Sequence, residues 1–250
     1  MSKRKELEAR QQEASRKQMI QIGAVIGVLA LVIIGGAIIL NQNGVATPAE
    51  SAALPAPKAV SRTLPANADA NGIGFGPADA PIKIQEFVDY QCPACGAQWS
   101  ANESAIIEAL SRSGKVRYEF RFLTFLESRA GTTESTDAAM AALCAADQGK
   151  FWDMHNSLFG NQYDENVGQF SKARLKLMAV ANSLDANTFN SCLDNGTHSS
   201  KLAEFAADAE RLKVQSTPSF VIGDKIFAGG RDLAQLKADI TSAIPGAAIE

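Results

Sequence analysis

IKIQEFVDYQCPAC, residues 82–95, is the stretch on which the fold turns. Its first half, Ile82–Val88, alternates apolar and polar side chains and is entered by Pro81, the pattern of a β-strand with one buried face. Its second half sets Cys92 and Cys95 just after that strand. Ala97–Arg112 then carries helix-compatible residues up to Gly114, where a helix is expected to stop. KVRYEFRF, Lys115–Phe122, alternates strictly, with Val116, Tyr118, Phe120 and Phe122 on one face, and reads as a second strand. Strand, long helix, strand is a βαβ unit with a right-handed crossover and a parallel pair.

Downstream, Thr133 to about Leu212 is largely helical in pattern, with breaks at Gly160–Glu165, near Asp185 and at Asn195–Gly196. Ser219–Ile222 and Lys225–Phe227 form a short hairpin through Gly223-Asp224. Asp232 is the expected N-cap of a last helix, DLAQLKADITSAI. The expected folded domain is 72–250, in the order βα, helices, ββα, with a helical insertion at about 130–212.

Upstream the composition changes. Residues 1–19 hold six Lys or Arg against three Glu, a local charge of +3. The chain as a whole carries −3 and is 46% hydrophobic, so −6 falls on everything after this tail. From Ile22 to Leu40 there is no charged side chain, and a helix of that length is about 28 Å long, close to a bilayer's hydrocarbon thickness. Residues 20–40 are therefore expected to be a single-pass transmembrane signal-anchor, with the basic tail cytoplasmic and the rest extracytoplasmic. A cleaved signal peptide is the rival reading, although the run is long for one and lacks a clean A-x-A site. Residues 41–71, rich in Ala, Pro, Ser and Asn, read as a disordered tether. The weakly acidic balance gives no basic patch for nucleic acid.

A C-x-x-C at the junction of a strand and a helix reads as a redox pair. At the helix N-terminus Cys92 meets unpaired backbone N–H groups and the positive end of the dipole, which favour thiolate over thiol. Pro93 suits the first helical turn, where its missing N–H costs nothing. A structural disulfide and half of a zinc site are the alternatives. Zinc calls for two more ligands, and His155, His198, Cys144 and Cys192 are widely spaced in the chain.

With Glu86-Phe87-Val88-Asp89-Tyr90-Gln91-Cys92-Pro93-Ala94-Cys95 followed downstream by Ser216-Thr217-Pro218-Ser219-Phe220, the chain resembles the DsbA family of thiol:disulfide oxidoreductases, in its membrane-anchored, Gram-positive-style form. The segments AALCAADQGKFWDMHNSLF and FNSCLDNG extend the likeness over most of Gly72–Ile244. The resemblance implies an α/β thioredoxin fold with a helical insertion. It makes Cys92 the exposed nucleophile, Cys95 the buried resolving thiol and Pro218 a cis-proline beside them. Thr217 would tune the nearby sulfur. Ala94 stands where the best-known members often have histidine, which puts the redox potential in doubt. Glu86 falls where the family has a buried acid serving Cys95 as a proton relay. Its alternation with Ile82 and Ile84 fits burial, and a solvated strand-end carboxylate is the other reading.

Two cysteines outside the motif leave Cys144 and Cys192 for each other, and some family members carry a second structural disulfide here. Two separate buried thiols remain the alternative. Asp89 reads as a cap or turn residue. Phe151, Trp152, Leu158 and Phe159 read as core, His155 as a surface or half-buried helix residue, and Lys172, Arg174 and Lys176 as a solvated face.

The function expected is oxidation of thiols in exported, cysteine-containing proteins through a Cys92–Cys95 disulfide. The resemblance implies a quinone-linked membrane reoxidant and no metal, cofactor or nucleic acid, with a monomer as default. A reductase or isomerase, or a tethered peptide-binding (holdase) module, are the competing readings.

Overall fold

β2 (Ile82–Val88) runs parallel to β3 (Val116–Phe122), in register from Ile82 opposite Val116 to Val88 opposite Phe122. The computed structural model in which this pairing is seen describes residues 54–127, 132–247 and 249. On its other edge β2 takes β4 (Ser219–Ile222) antiparallel, and β5 (Lys225–Ala228) follows β4 around the Gly223-Asp224 turn. The short β1 (Gly74–Phe75) closes the far side of β3, giving the order β1-β3-β2-β4-β5. β1 can approach because position 76 is glycine. Its φ is +88°, and a Cβ there would meet the Val116 carbonyl oxygen at 1.9 Å.

Alternation along the strands sorts their side chains between two faces. Ile82, Ile84 and Val88 join Val116, Tyr118, Phe120 and Phe122 in the main core. That core is closed by Ile106 and Leu110 of α2 (Ser104–Ser113) and by Leu236 and Ile240 of α8 (Leu233–Ala243). Phe87 and Val221, on the opposite face, pack with Ala209 and Val214 in a smaller cluster. α8 opens on the expected cap. Asp232 accepts from the Gln235 backbone while the Gln235 side chain accepts from the Asp232 N–H, a capping box.

The insertion comprises α3 (Glu134–Ala146), α4 (Phe151–Gly160), α5 (Lys172–Ala181), α6 (Ala186–Asn195) and α7 (Ser199–Leu212). α3 is buried from Ala138 to Ala146 because its run of small side chains lets neighbouring helices come close. Cys144 of α3 and Cys192 of α6 are joined, with Cα atoms 5.9 Å apart.

The helix after the cysteines runs without a break from Pro93 to Ser113: α1 (Pro93–Gln98) passes through a π turn at Trp99–Glu103 into α2. Two expectations need correction. The tether ends earlier than residue 71, since residues 54–71 lie on the domain. Asn161 of the loop after α4 accepts from the Lys58 N–H at 2.9 Å and donates to its carbonyl at 2.8 Å. The Val60 N–H reaches Ser157 Oγ at 3.0 Å, the Arg62 guanidinium lies 3.7 Å above the Trp99 ring, and Arg117 grips both Asp69 oxygens at 2.6 and 2.7 Å. Side chains of the domain bind backbone groups at Leu54, Pro55, Lys58 and Val60, a mode of docking that leaves no hydrophobic period to read. Arg174, finally, is buried rather than solvated, its guanidinium donating to the Leu54 and Pro55 carbonyls. Residues two apart on a helix point to opposite sides, so Arg174 turns away from Lys172 and Lys176.

The basic tail and the apolar run at 20–40 lie outside the described residues. Among the described residues no helix is long and apolar enough to cross a membrane.

Candidate active site

β2 leads from its C-terminal end to Cys92 and Cys95, and these sit at the start of α1. Cys92 is the N-cap residue, extended at φ −71° and ψ 119°, and Pro93 opens the helix. Pro93 and Ala94 are exposed, whereas Cys95 is 2% exposed and Cys92 only 8%; both are free thiols. Cys92 is thus more covered than the resemblance implies. Its cover is the loop before β4, where the Thr217–Pro218 peptide is cis and the Thr217 carbonyl accepts from Cys92 Sγ at 3.3 Å. The Thr217 hydroxyl is buried in the same place without a hydrogen-bond partner.

The two thiols are driven apart electrostatically. Cys92 is drawn down to about 6, first by the hydrogen bond from the Cys95 thiol and then by the backbone N–H groups of Cys95 and Ala94, with burial opposing. Cys95 is pushed well above a normal thiol, by burial first and then by its hydrogen bond to Cys92 and the charge there. Near neutral pH the pair therefore holds a thiolate at Cys92 and a thiol at Cys95. Ala94 takes part through its backbone, with no cationic side chain involved.

Gln162, beyond α4, was not singled out by any sequence motif. Its Nε2 donates to the carbonyls of Tyr90 at 2.7 Å and Cys92 at 3.0 Å, tying the loop before α1 to the helical insertion. A Cβ on Gly96 would come within 1.9 Å of Gln162 Oε1, so glycine at 96 makes room for this brace.

Glu86 is buried at 1% exposure, in register with Phe120 of β3 and Phe220 of β4. Its hydrogen bond comes from the Tyr118 hydroxyl rather than from Cys95. Burial, followed by the nearby Glu103, raises its pKa to about 8, and the Tyr118 bond opposes them. Asp89 is more than a turn residue. It is buried, accepts from the Gln91 N–H and the Ser135 hydroxyl at 2.9 Å each, and is raised by burial to about 7. His155 is likewise fully buried, not at the surface. Its partners, Tyr90 and Glu103, lie 65 and 52 residues away along the chain, out of reach of a local reading.

These acids predict an inverted pH dependence of stability. Glu86 and Asp89 hold protons more tightly in the folded than in the unfolded chain. Their stabilisation is complete below about pH 4 and is lost as pH rises through about 7 to 8. Denaturant titrations of Cys92→Ser, which removes the opposing titration of the Cys92 thiol, are expected to show lower stability near pH 8 than near pH 5.5, by up to about 1.4 kcal/mol per pH unit for each group. Glu86→Gln should shrink that fall. An unchanged fall would remove Glu86 as a cause.

Cys144 and Cys192 bridge α3 and α6, away from the C-x-x-C pair. His198, shortly after Cys192 in sequence but far from Cys144, comes within 4.8 Å of their sulfurs, where it meets Asp147 at 2.7 Å.

A family profile described as thioredoxin matches residues 69–242. The Na(+)/H(+) antiporter NhaA 1 of Salinispora arenicola is 31% identical over 171 residues, 68% of this chain but 24% of that protein. The chain thus spans about a quarter of the antiporter-named relatives that it matches. Disulfide bond formation protein D of Bacillus subtilis is 25% identical over 178 residues, 69% of this chain and 77% of the relative. Among solved structures, oxidised BdbD from Bacillus subtilis superposes with a TM-score of 0.61 at 25% identity, covering 76% of this chain and 100% of that one. A thioredoxin-like oxidoreductase from Silicibacter pomeroyi gives 0.57 at 25% identity, over 72% of this chain and 95% of that one. With a redox-poised cysteine pair on such a framework, the chain belongs to the thioredoxin family, among its DsbA-type thiol-disulfide oxidoreductases.

Proposed function

We propose that the protein is a membrane-anchored, extracytoplasmic oxidase of thiols in exported proteins. The observation that carries this reading is the split between the two thiols, with Cys92 at about 6 and Cys95 pushed far up. A low-pKa thiolate is a good leaving group and a stabilised reduced product, and both favour handing a disulfide on to a substrate. In the oxidised enzyme a substrate thiolate attacks Cys92 Sγ. The Cys92–Cys95 bond breaks with its electron pair on Cys95, which takes up a proton, and a mixed disulfide forms. A second substrate thiolate then attacks the substrate sulfur of that bond. Oxidised substrate leaves, and Cys92 departs as the thiolate that the α1 terminus and its neighbours stabilise. Glu86, protonated at neutral pH, serves as the nearby buried proton store, with Thr217 and Pro218 forming the wall against which the substrate chain lies. Reoxidation falls to a quinone-linked membrane partner.

The basic 1–19 segment followed by the apolar run supports the anchor and the extracytoplasmic placement. The disulfide-forming role in the name of the Bacillus subtilis relative supports the direction. Cation antiport is not carried over, since this chain matches a quarter of the protein so named. Thr217 and Ala94 are the features that favour the second reading, a reductase or isomerase kept reduced by its partner. Titration of the Cys92–Cys95 couple against glutathione decides between them. An oxidase is expected to stand within the range of glutathione or above it, roughly −230 to −120 mV. A potential near the roughly −270 mV of thioredoxin would overturn the oxidase reading.

A further inference from the structure

The turn after α1 is wound more widely than the helices on either side. Trp99–Glu103 is π-helical, and Glu103, at its end, is buried at 4% exposure. Such insertions shift the face that a helix presents, and they recur at functional positions. The Glu103 carboxylate meets His155 Nε2 at 3.1 and 3.2 Å from its two oxygens. With the ring proton on Nε2, Nδ1 is left to accept from the Tyr90 hydroxyl, 3.0 Å away. Phe120, Phe159 and Phe151 enclose the imidazole, with centroids 4.6, 5.1 and 5.3 Å from it, so the chain of hydrogen bonds runs through buried, apolar surroundings. Tyr90 stands two residues before Cys92, and the Gln162 amide grips the carbonyls of both.

We propose that Glu103 and His155 are positioning residues for the thiol-disulfide reaction, holding the Tyr90 hydroxyl and, through it, the backbone that presents Cys92 to the α1 terminus and the Thr217 carbonyl. The proposal rests on the reading of Cys92 as the nucleophile. None of the three residues touches a reacting sulfur. They act by fixing where Cys92 begins. Loosening the loop withdraws the thiolate from the N–H groups that stabilise it, so the effect must surface in the acidity of Cys92. Other titratable groups facing this network are Glu86 and Tyr118 from the sheet and Cys95 from α1.

The test uses the reduced full chain. Iodoacetamide labelling of Cys92, read on its own peptide by mass, is followed from about pH 4 to about pH 9 in the wild type, Tyr90→Phe, Glu103→Gln and the double variant. Each single change is expected to move the labelling midpoint upward, slowing the reaction near pH 6 by about fivefold and leaving the alkaline plateau unchanged. A loss of stability alone would not move this midpoint in protein that remains folded. Both changes cut one chain, so the double variant should lose no more than the worse single one. Profiles of the folded single variants within about twofold of wild type, or losses that multiply in the double variant, overturn the proposal. Should Glu103→Gln fail to fold, Tyr90→Phe decides the matter alone, since it deletes one hydroxyl and keeps the ring. A wild-type Cys92 that resists labelling across the whole range defeats the nucleophile reading instead, a distinct result.

Discussion

Cys92→Ser is expected to cut thiol-disulfide exchange by a thousandfold or more, roughly the loss seen when an essential nucleophile is removed. A serine hydroxyl at the same N-cap would still meet the Cys95 and Ala94 N–H groups, yet it does not ionise near neutral pH and forms no disulfide. The fold should survive, because Cys92 contributes little buried apolar volume beside Phe120 or Tyr118. Cys95→Ser gives the informative contrast. A hydroxyl at 95 keeps a hydrogen-bond donor for the Cys92 thiolate, the largest cause of its acidity. That variant should retain a reactive Cys92 and accumulate mixed disulfides that it cannot resolve, visible as a mass shift on incubation with a substrate disulfide. Unchanged turnover of thiol substrates by Cys92→Ser would leave only a peptide-binding module.

The second large effect concerns stability. Removing the Cys144–Cys192 bridge by a double change to alanine frees a loop closed over a separation of 48 residues. Loop-closure entropy of that length is worth about 4 kcal/mol. Domains rarely have more than about 5–15 kcal/mol to spare, so the melting temperature should fall by about 10 °C. Exchange at Cys92, measured well below the new midpoint, should be unaffected. A folded double variant that lost exchange would show instead that the second pair carries electrons. One that melted unchanged would show that the helices of the insertion hold without the bridge.

Much of this architecture can be read locally. The alternation in Ile82–Val88 and Lys115–Phe122 marks the two central strands because a pleated strand with one buried face imposes a two-residue period. Cys92 and Pro93 mark the helix start because both residues suit an N-terminus. What escapes is what depends on partners far along the chain. His155 looks like any helical histidine until Tyr90 and Glu103 are brought to it, and the π turn that aims Glu103 has no periodic signature. Arg174 shares a charged stretch with two lysines, and the helical angle alone separates it from them. Residues 54–71 have the composition of a linker; Asn161 and Ser157 accept from the Lys58 and Val60 N–H groups and Arg174 donates to the Pro55 carbonyl, holding the segment in place.

The two sides of the cleft around Cys92 differ mechanically. On one side a single amide, that of Gln162, holds both the Tyr90 and the Cys92 carbonyls, so the insertion cannot swing away without breaking two hydrogen bonds at once. On the other side the Thr217 carbonyl meets the thiol through one weak sulfur contact, and the Thr217 hydroxyl is held by none. With Cys92 only 8% exposed, an incoming sulfur must displace something before it can bond. The Thr217 loop meets the Cys92 sulfur through the weaker contact, while across from it the insertion holds the Cys92 backbone fast.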